Sequence, residues 1–68
     1  MKYRIYCCAP EINEVYEYTG SMSLSHARRL LNWKQRQLER HFGQQVTRVS
    51  ADHLRLRTEL LAFDWYIA

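Results

Sequence analysis

Two cysteines, three histidines and seven acidic residues are the side chains of this chain with the means for covalent, metal or acid–base chemistry. Their spacing argues against all three. Cys7 and Cys8 are adjacent, and neighbours on a strand point to opposite faces, so they neither converge on one ion nor bridge each other within normal disulfide geometry. His26, His41 and His53 fall at no H-x-x-x-H spacing, and no C-x-x-C is present. No sequence context activates either thiol, no glycine-rich phosphate loop occurs, and the carboxylates form no paired motif. A domain this small also builds a deep pocket with difficulty. The expectation is a non-enzymatic protein with no metal site and no cofactor. Its histidines should lie on the surface, and its two reduced thiols fit a cytoplasmic setting.

A different chemistry is offered by ARRLLNWKQRQLERHF, Ala27 to Phe42. At ~100° per residue, Ala27, Leu31, Leu38 and Phe42 form one apolar stripe, flanked by Leu24 and Leu30. Lys34 falls on the stripe and Gln35 at its edge. Lys34 should lay its apolar stem on the sheet margin and keep its ammonium wet. Arg29, Trp33, Arg36 and Arg40 follow i, i+4, i+7, i+11 and lie more than roughly 100° from the stripe centre. An indole is thus expected among three guanidinium groups on the surface turned to water.

Two readings of Trp33 stand side by side. In one, an arginine or a terminal segment covers the ring, a cation–π contact being worth ~0.5–1 kcal/mol at the surface. In the other, Trp33 anchors a binding patch, since Trp and Arg are the types most enriched at interface hot spots. Arg28 joins Arg29, Arg36 and Arg40 as a partner-binding residue in that reading.

These side chains need elements to position them. KYRIYCC (Lys2–Cys8) alternates Tyr3, Ile5 and Cys7 on one face with Arg4, Tyr6 and Cys8 on the other. APEIN then supplies the only proline and a turn, and EVYEYT (Glu14–Thr19) returns as an antiparallel strand. Ser23 or Ser25 caps a long helix that runs to about Phe42, where Gly43 fits the position just past a helix end. QQVTRVS (Gln44–Ser50) is a third strand. HLRLRT (His53–Thr58) alternates as a fourth, and LAFDWYIA closes the chain with Phe63, Trp65 and Ile67 on one side. The alternative for residues 51–63 is a short second helix, because Leu, Arg, Glu and Ala favour it. The expected architecture is a single α+β domain over residues 1–68, with an antiparallel sheet of four to five strands in ββαββ order and one long helix on one face.

With 68 residues there is room for one domain, with a stability of a few kcal/mol. The apolar fraction of 47% and charged fraction of 25% fit a folded globular chain and argue against disorder. Apolar runs such as LLAF are far short of a membrane span, and no long apolar core follows Lys2, so neither a membrane segment nor a signal peptide is expected. A net charge of +3 permits an acidic protein or a nucleic acid as partner and demands neither.

The helix lacks the preceding turn and helix of a helix-turn-helix, and the strand order lacks the RRM arrangement and its aromatic motif, so weak binding to double-stranded nucleic acid is the most that is expected. Arg4 and Tyr6 are second-choice contacts on the open sheet face, although most tyrosines should be cross-strand packing pairs. FDWYIA is expected to be the sheet edge, and a homodimer would form through it.

Two short strands, a serine-led helix entry ending in ARRL (Ser23–Leu30), then VTRV (Val46–Val49) and a short terminal strand resemble, in element order, small phage- and prophage-encoded accessory proteins of the anti-CRISPR inhibitor type. That resemblance implies a non-enzymatic inhibitor that occupies a functional surface of a large bacterial complex. The basic helix departs from the acidic, DNA-mimicking members of the group and suits a protein complex with an acidic surface.

Overall fold

The computed structural model describes residues 2–9, 12 and 14–68. Pro10, Glu11 and Asn13, where the first hairpin turn is expected, lie outside the described residues. Strands β1 (Ile5–Ala9) and β2 (Glu14–Glu17) lead into the 19-residue helix α1 (Leu24–Phe42), and β3 (Val46–Ser50), β4 (His53–Arg57) and β5 (Ala62–Ile67) follow. All strand pairings are antiparallel, in the order β2-β1-β5-β4-β3. The α+β class and the ββαββ order are as the sequence predicts, with the fifth strand present. Residues 53–57 form a strand, so the second-helix alternative falls away.

Local chemistry sets the helix ends. The Ser23 side chain accepts a hydrogen bond from the His26 N–H at 3.3 Å, which satisfies one of the free amides of the first turn. At the other end Gly43 takes φ 55°, a left-handed value that a side chain would resist, and its N–H bonds the Glu39 carbonyl. The chain then makes a 3-10 turn over Gly43–Gln45, so β3 starts at Val46 rather than at Gln44.

The helix covers one sheet face. Ala27 and Leu31 are fully buried against Ile5, Leu54, Leu56 and Trp65, with Cys7, Leu30, Leu38, Val46, Phe63 and Ile67 packed around them. Phe42, expected in the buried stripe, is more than one-third exposed at the last turn of α1, beyond which the chain turns away. Lys34, on the stripe, is half-buried, and its ammonium, expected to be wet, meets two aromatic rings. Its Nζ lies 5.1 Å from the Tyr18 ring centre and 5.5 Å from that of Trp65, a charged head seated on two rings at the rim of the core. Arg48 fastens the other flank. Its guanidinium donates to Asn32 and Gln35 on α1 and to the Ser50 and Ala51 carbonyls.

One expectation is overturned. FDWYIA is not an edge: β5 lies at the centre of the sheet, with β1 on one side and β4 on the other. Both of its backbone edges are spent on these ladders, so no copy of the chain can pair through it. The reason is burial. β5 is the most buried strand, with Ala62, Asp64 and Trp65 all nearly out of water, and the centre of the sheet under the helix is where its large apolar side chains lose the most contact with water. The edges are β2 and β3.

Candidate functional site

The back of α1, away from the sheet, carries the candidate site. Arg29, Trp33, Arg36 and Arg40 all lie on it and all are exposed, as the helical spacing predicts. Trp33 leaves 53% of its surface in water. No guanidinium covers it: among the described residues both cation–ring contacts are made by Lys34, on other rings. The exposed reading of Trp33 is therefore the one the geometry supports. His26 and Leu30, which the sequence analysis does not single out as contacts, line an apolar depression with Arg29 and Trp33. Their i, i+3, i+4, i+7 spacing is the signal that would have found them.

Several polar side chains on the rest of the helix are engaged. Arg28 sits apart from the other arginines, on the flank facing the β3–β4 turn, and its Nε donates to Asp52 at 2.8 Å. That hydrogen bond raises the Arg28 pKa and holds the Asp52 carboxyl below its usual value. Asn32 and Gln35 accept from Arg48, and Glu39 takes a long hydrogen bond from Gln35. Arg29, Arg36 and Arg40, in contrast, make no hydrogen bond or ion pair among the described residues. The helix holds five basic residues against Glu39 alone, an excess greater than the net +3 of the whole chain. Positive charge is thus concentrated on this layer.

The open sheet face holds the second-choice residues Arg4 and Tyr6, and both are occupied. Arg4 pairs loosely with Glu17 at 3.4 Å, and Tyr6 stacks on Tyr66 at 5.5 Å with an interplanar angle of 21°. Beside them is a triad the sequence analysis misses. Asp64, only 8% exposed, shares its Oδ1 with His53 Nε2 at 2.6 Å and Arg55 Nε at 2.9 Å. Positions 53, 55 and 64 share a face by alternation, but the β4–β5 register that sets Arg55 opposite Asp64 is not legible locally.

Burial pushes the Asp64 carboxyl up, and the hydrogen bonds from His53 and Arg55 outweigh it, leaving the pKa below 3.8. A carboxyl with a depressed folded pKa stabilises the fold above its unfolded pKa, and that contribution fades as pH falls through the folded value. Asp64→Asn is therefore expected to flatten the acid limb of stability measured below about pH 4. An unchanged acid limb would show that the triad does not couple to folding.

Both cysteines are free thiols. Cys7 lies under the helix and Cys8 on the open face. Burial raises the Cys7 pKa, more than the nearby Lys34 lowers it, which makes that thiol a poor nucleophile. No group of three or more His, Cys, Asp or Glu among the described residues is arranged to hold a metal, and no helix is long and apolar enough to cross a membrane. Comparison of the chain with family models, with curated proteins and with solved structures finds no match.

Proposed function

We propose that this protein is a non-enzymatic binding module that docks the back of α1 on an acidic surface of a larger protein complex. The observation that carries this is Trp33, half exposed amid three arginines that make no hydrogen bond or ion pair among the described residues. A large ring kept in water forgoes burial worth several kcal/mol, and a partner's surface supplies that burial on docking. Carboxylates around the ring would meet Arg29, Arg36 and Arg40, and an apolar side chain would enter the depression between His26, Leu30 and Trp33. Small size, one domain and the element order support the finer reading, a phage-type inhibitor that blocks a bacterial defence or regulatory complex. The two unpaired thiols support a cytoplasmic site of action.

The test is capture from bacterial lysate by wild type and by Trp33→Ala, with and without nuclease, read by mass spectrometry. A protein complex held by wild type alone and indifferent to nuclease is the expected result. Capture that disappears with nuclease would replace this reading with nucleic-acid binding by the same helix face, which the unpaired guanidiniums also suit. Equal capture by both proteins would take Trp33 out of the interface.

A further inference from the structure

The two edges of the sheet are unlike. β3 slips register between Arg48 and Ser50, and Arg48 folds its guanidinium onto the carbonyls at its end, so this edge is bulged and clamped. β2 keeps a continuous register with β1 from Glu14 to Glu17 and contains no proline, lysine or bulge. All four of its residues are exposed, and Ile12, Val15, Tyr16 and Tyr18 make up half of the large exposed hydrophobic side chains among the described residues. The protection β2 does carry is its short length and the two glutamates at its ends, charges that discourage pairing with another copy but not with a basic strand.

The backbone of β2 is open as well. The Tyr18 N–H bonds the Ile5 carbonyl at 2.9 Å. Antiparallel alternation then makes Tyr16 with Cys7, and Glu14 with Ala9, the hydrogen-bonded pairs, so the N–H and C=O groups of Val15 and Glu17 point away from β1. Charge narrows the occupant. Residues 11–18 hold Glu11, Glu14 and Glu17 and no basic residue. Two copies pairing β2 with β2 would crowd Glu14 and Glu17 of one copy near those of the other, and like charges close together across a ladder destabilise it.

We propose that β2 is a docking edge for an extended basic strand of a partner protein, which joins the sheet as a sixth strand. Its backbone would pair with Val15 and Glu17. Its lysines or arginines would lie beside Glu14 and Glu17, and its apolar side chains against Val15 on the open face and Tyr16 on the helix side. This edge is separate from the basic back of α1 and selects the opposite charge.

The test uses the full chain and a synthetic valine- and threonine-rich peptide whose lysines are three residues apart, so that they fall on both faces as Glu14 and Glu17 do, followed by amide hydrogen exchange and calorimetry. The Val15 and Glu17 amides should exchange slowly once the peptide is bound, while the α1 amides keep their chemical shifts. Val15→Pro removes an outward N–H and should weaken binding about tenfold, as should N-methylation of alternate peptide amides, which leaves the protein untouched. A peptide with glutamate for lysine should not bind. The proposal is overturned if the basic peptide does not bind, if it binds without protecting those amides, or if the N-methylated peptide binds equally well. It is also overturned if the protein alone doubles its mass and protects the same amides, which would make the occupant a second copy.

Discussion

Leu31→Ala is expected to lower stability by about 3 kcal/mol, enough to leave the domain largely unfolded at room temperature. Leu31 has no exposed surface and touches a cluster drawn from three strands, Ile5 on β1, Leu54 and Leu56 on β4 and Trp65 on β5. The cost of truncation has two parts, the lost transfer of the removed carbons and the cavity they leave. The cavity should persist. Its floor is made of strands held in place by ladder hydrogen bonds, and its roof is a helix pinned on one flank by Arg48 and by the Arg28–Asp52 pair. Urea unfolding followed by circular dichroism measures the loss. Leu31→Met, which keeps the volume, should cost less than about 1.5 kcal/mol. A loss below about 1 kcal/mol for Leu31→Ala would mean that the helix does not rest on the sheet through this residue.

Much of this architecture is legible in the chain because it depends on local rules. The serine before the helix, the glycine after it and the 3.6-residue spacing of Ala27, Leu31 and Leu38 fix α1 nearly to the residue. Alternation sets Ile5 and Cys7 under the helix and Arg4, Tyr6 and Cys8 on the open face, as the structure has them. Strand order is another matter. That β1 inserts between β2 and the end of the chain depends on pairing across some sixty residues, and no local pattern encodes it. Hence the edge is misplaced to FDWYIA, and the real edge, EVYE, passes for an ordinary hairpin strand. The Asp64 triad is hidden for the same reason.

The candidate site divides along the same line. Arg29, Trp33, Arg36 and Arg40 are set by one helix, so their grouping survives from sequence to structure. Arg28 is tied to the β3–β4 turn, since only the folded chain brings Asp52 beside it. Its own helical angle, roughly 60° from Leu31 and not opposite to it, already marks it as a flank residue. The fold thus leaves charge in two separated stores: guanidiniums on the helix back, and carboxylates at the first hairpin. The two proposed docking surfaces, one basic and one acidic, would therefore not compete for the same partner segment.

Trp33→Ala is expected to weaken binding to the partner of the helix face by about 2 kcal/mol or more, roughly thirtyfold in affinity, and to leave stability within about 0.5 kcal/mol of wild type. The two halves of this expectation come from one fact, that half of the ring is in water in the free protein. The covered half packs outside the core cluster, so truncation leaves the core intact and costs the fold little. At an interface the same ring would lie at the centre of the patch, where water is excluded and aromatic contact contributes most. The arginines around it should behave differently. Arg36→Ala and Arg40→Ala remove rim charges, so their loss should appear mainly as slower association and a weaker dependence on salt. Nucleic acid would reverse the ranking, each arginine lowering the salt slope by about one unit for every sequence alike. Affinity measured for the three variants across a salt series separates the cases. A Trp33→Ala protein that melts like wild type and binds like wild type would remove the indole from the interface and leave the guanidiniums to carry the helix face alone.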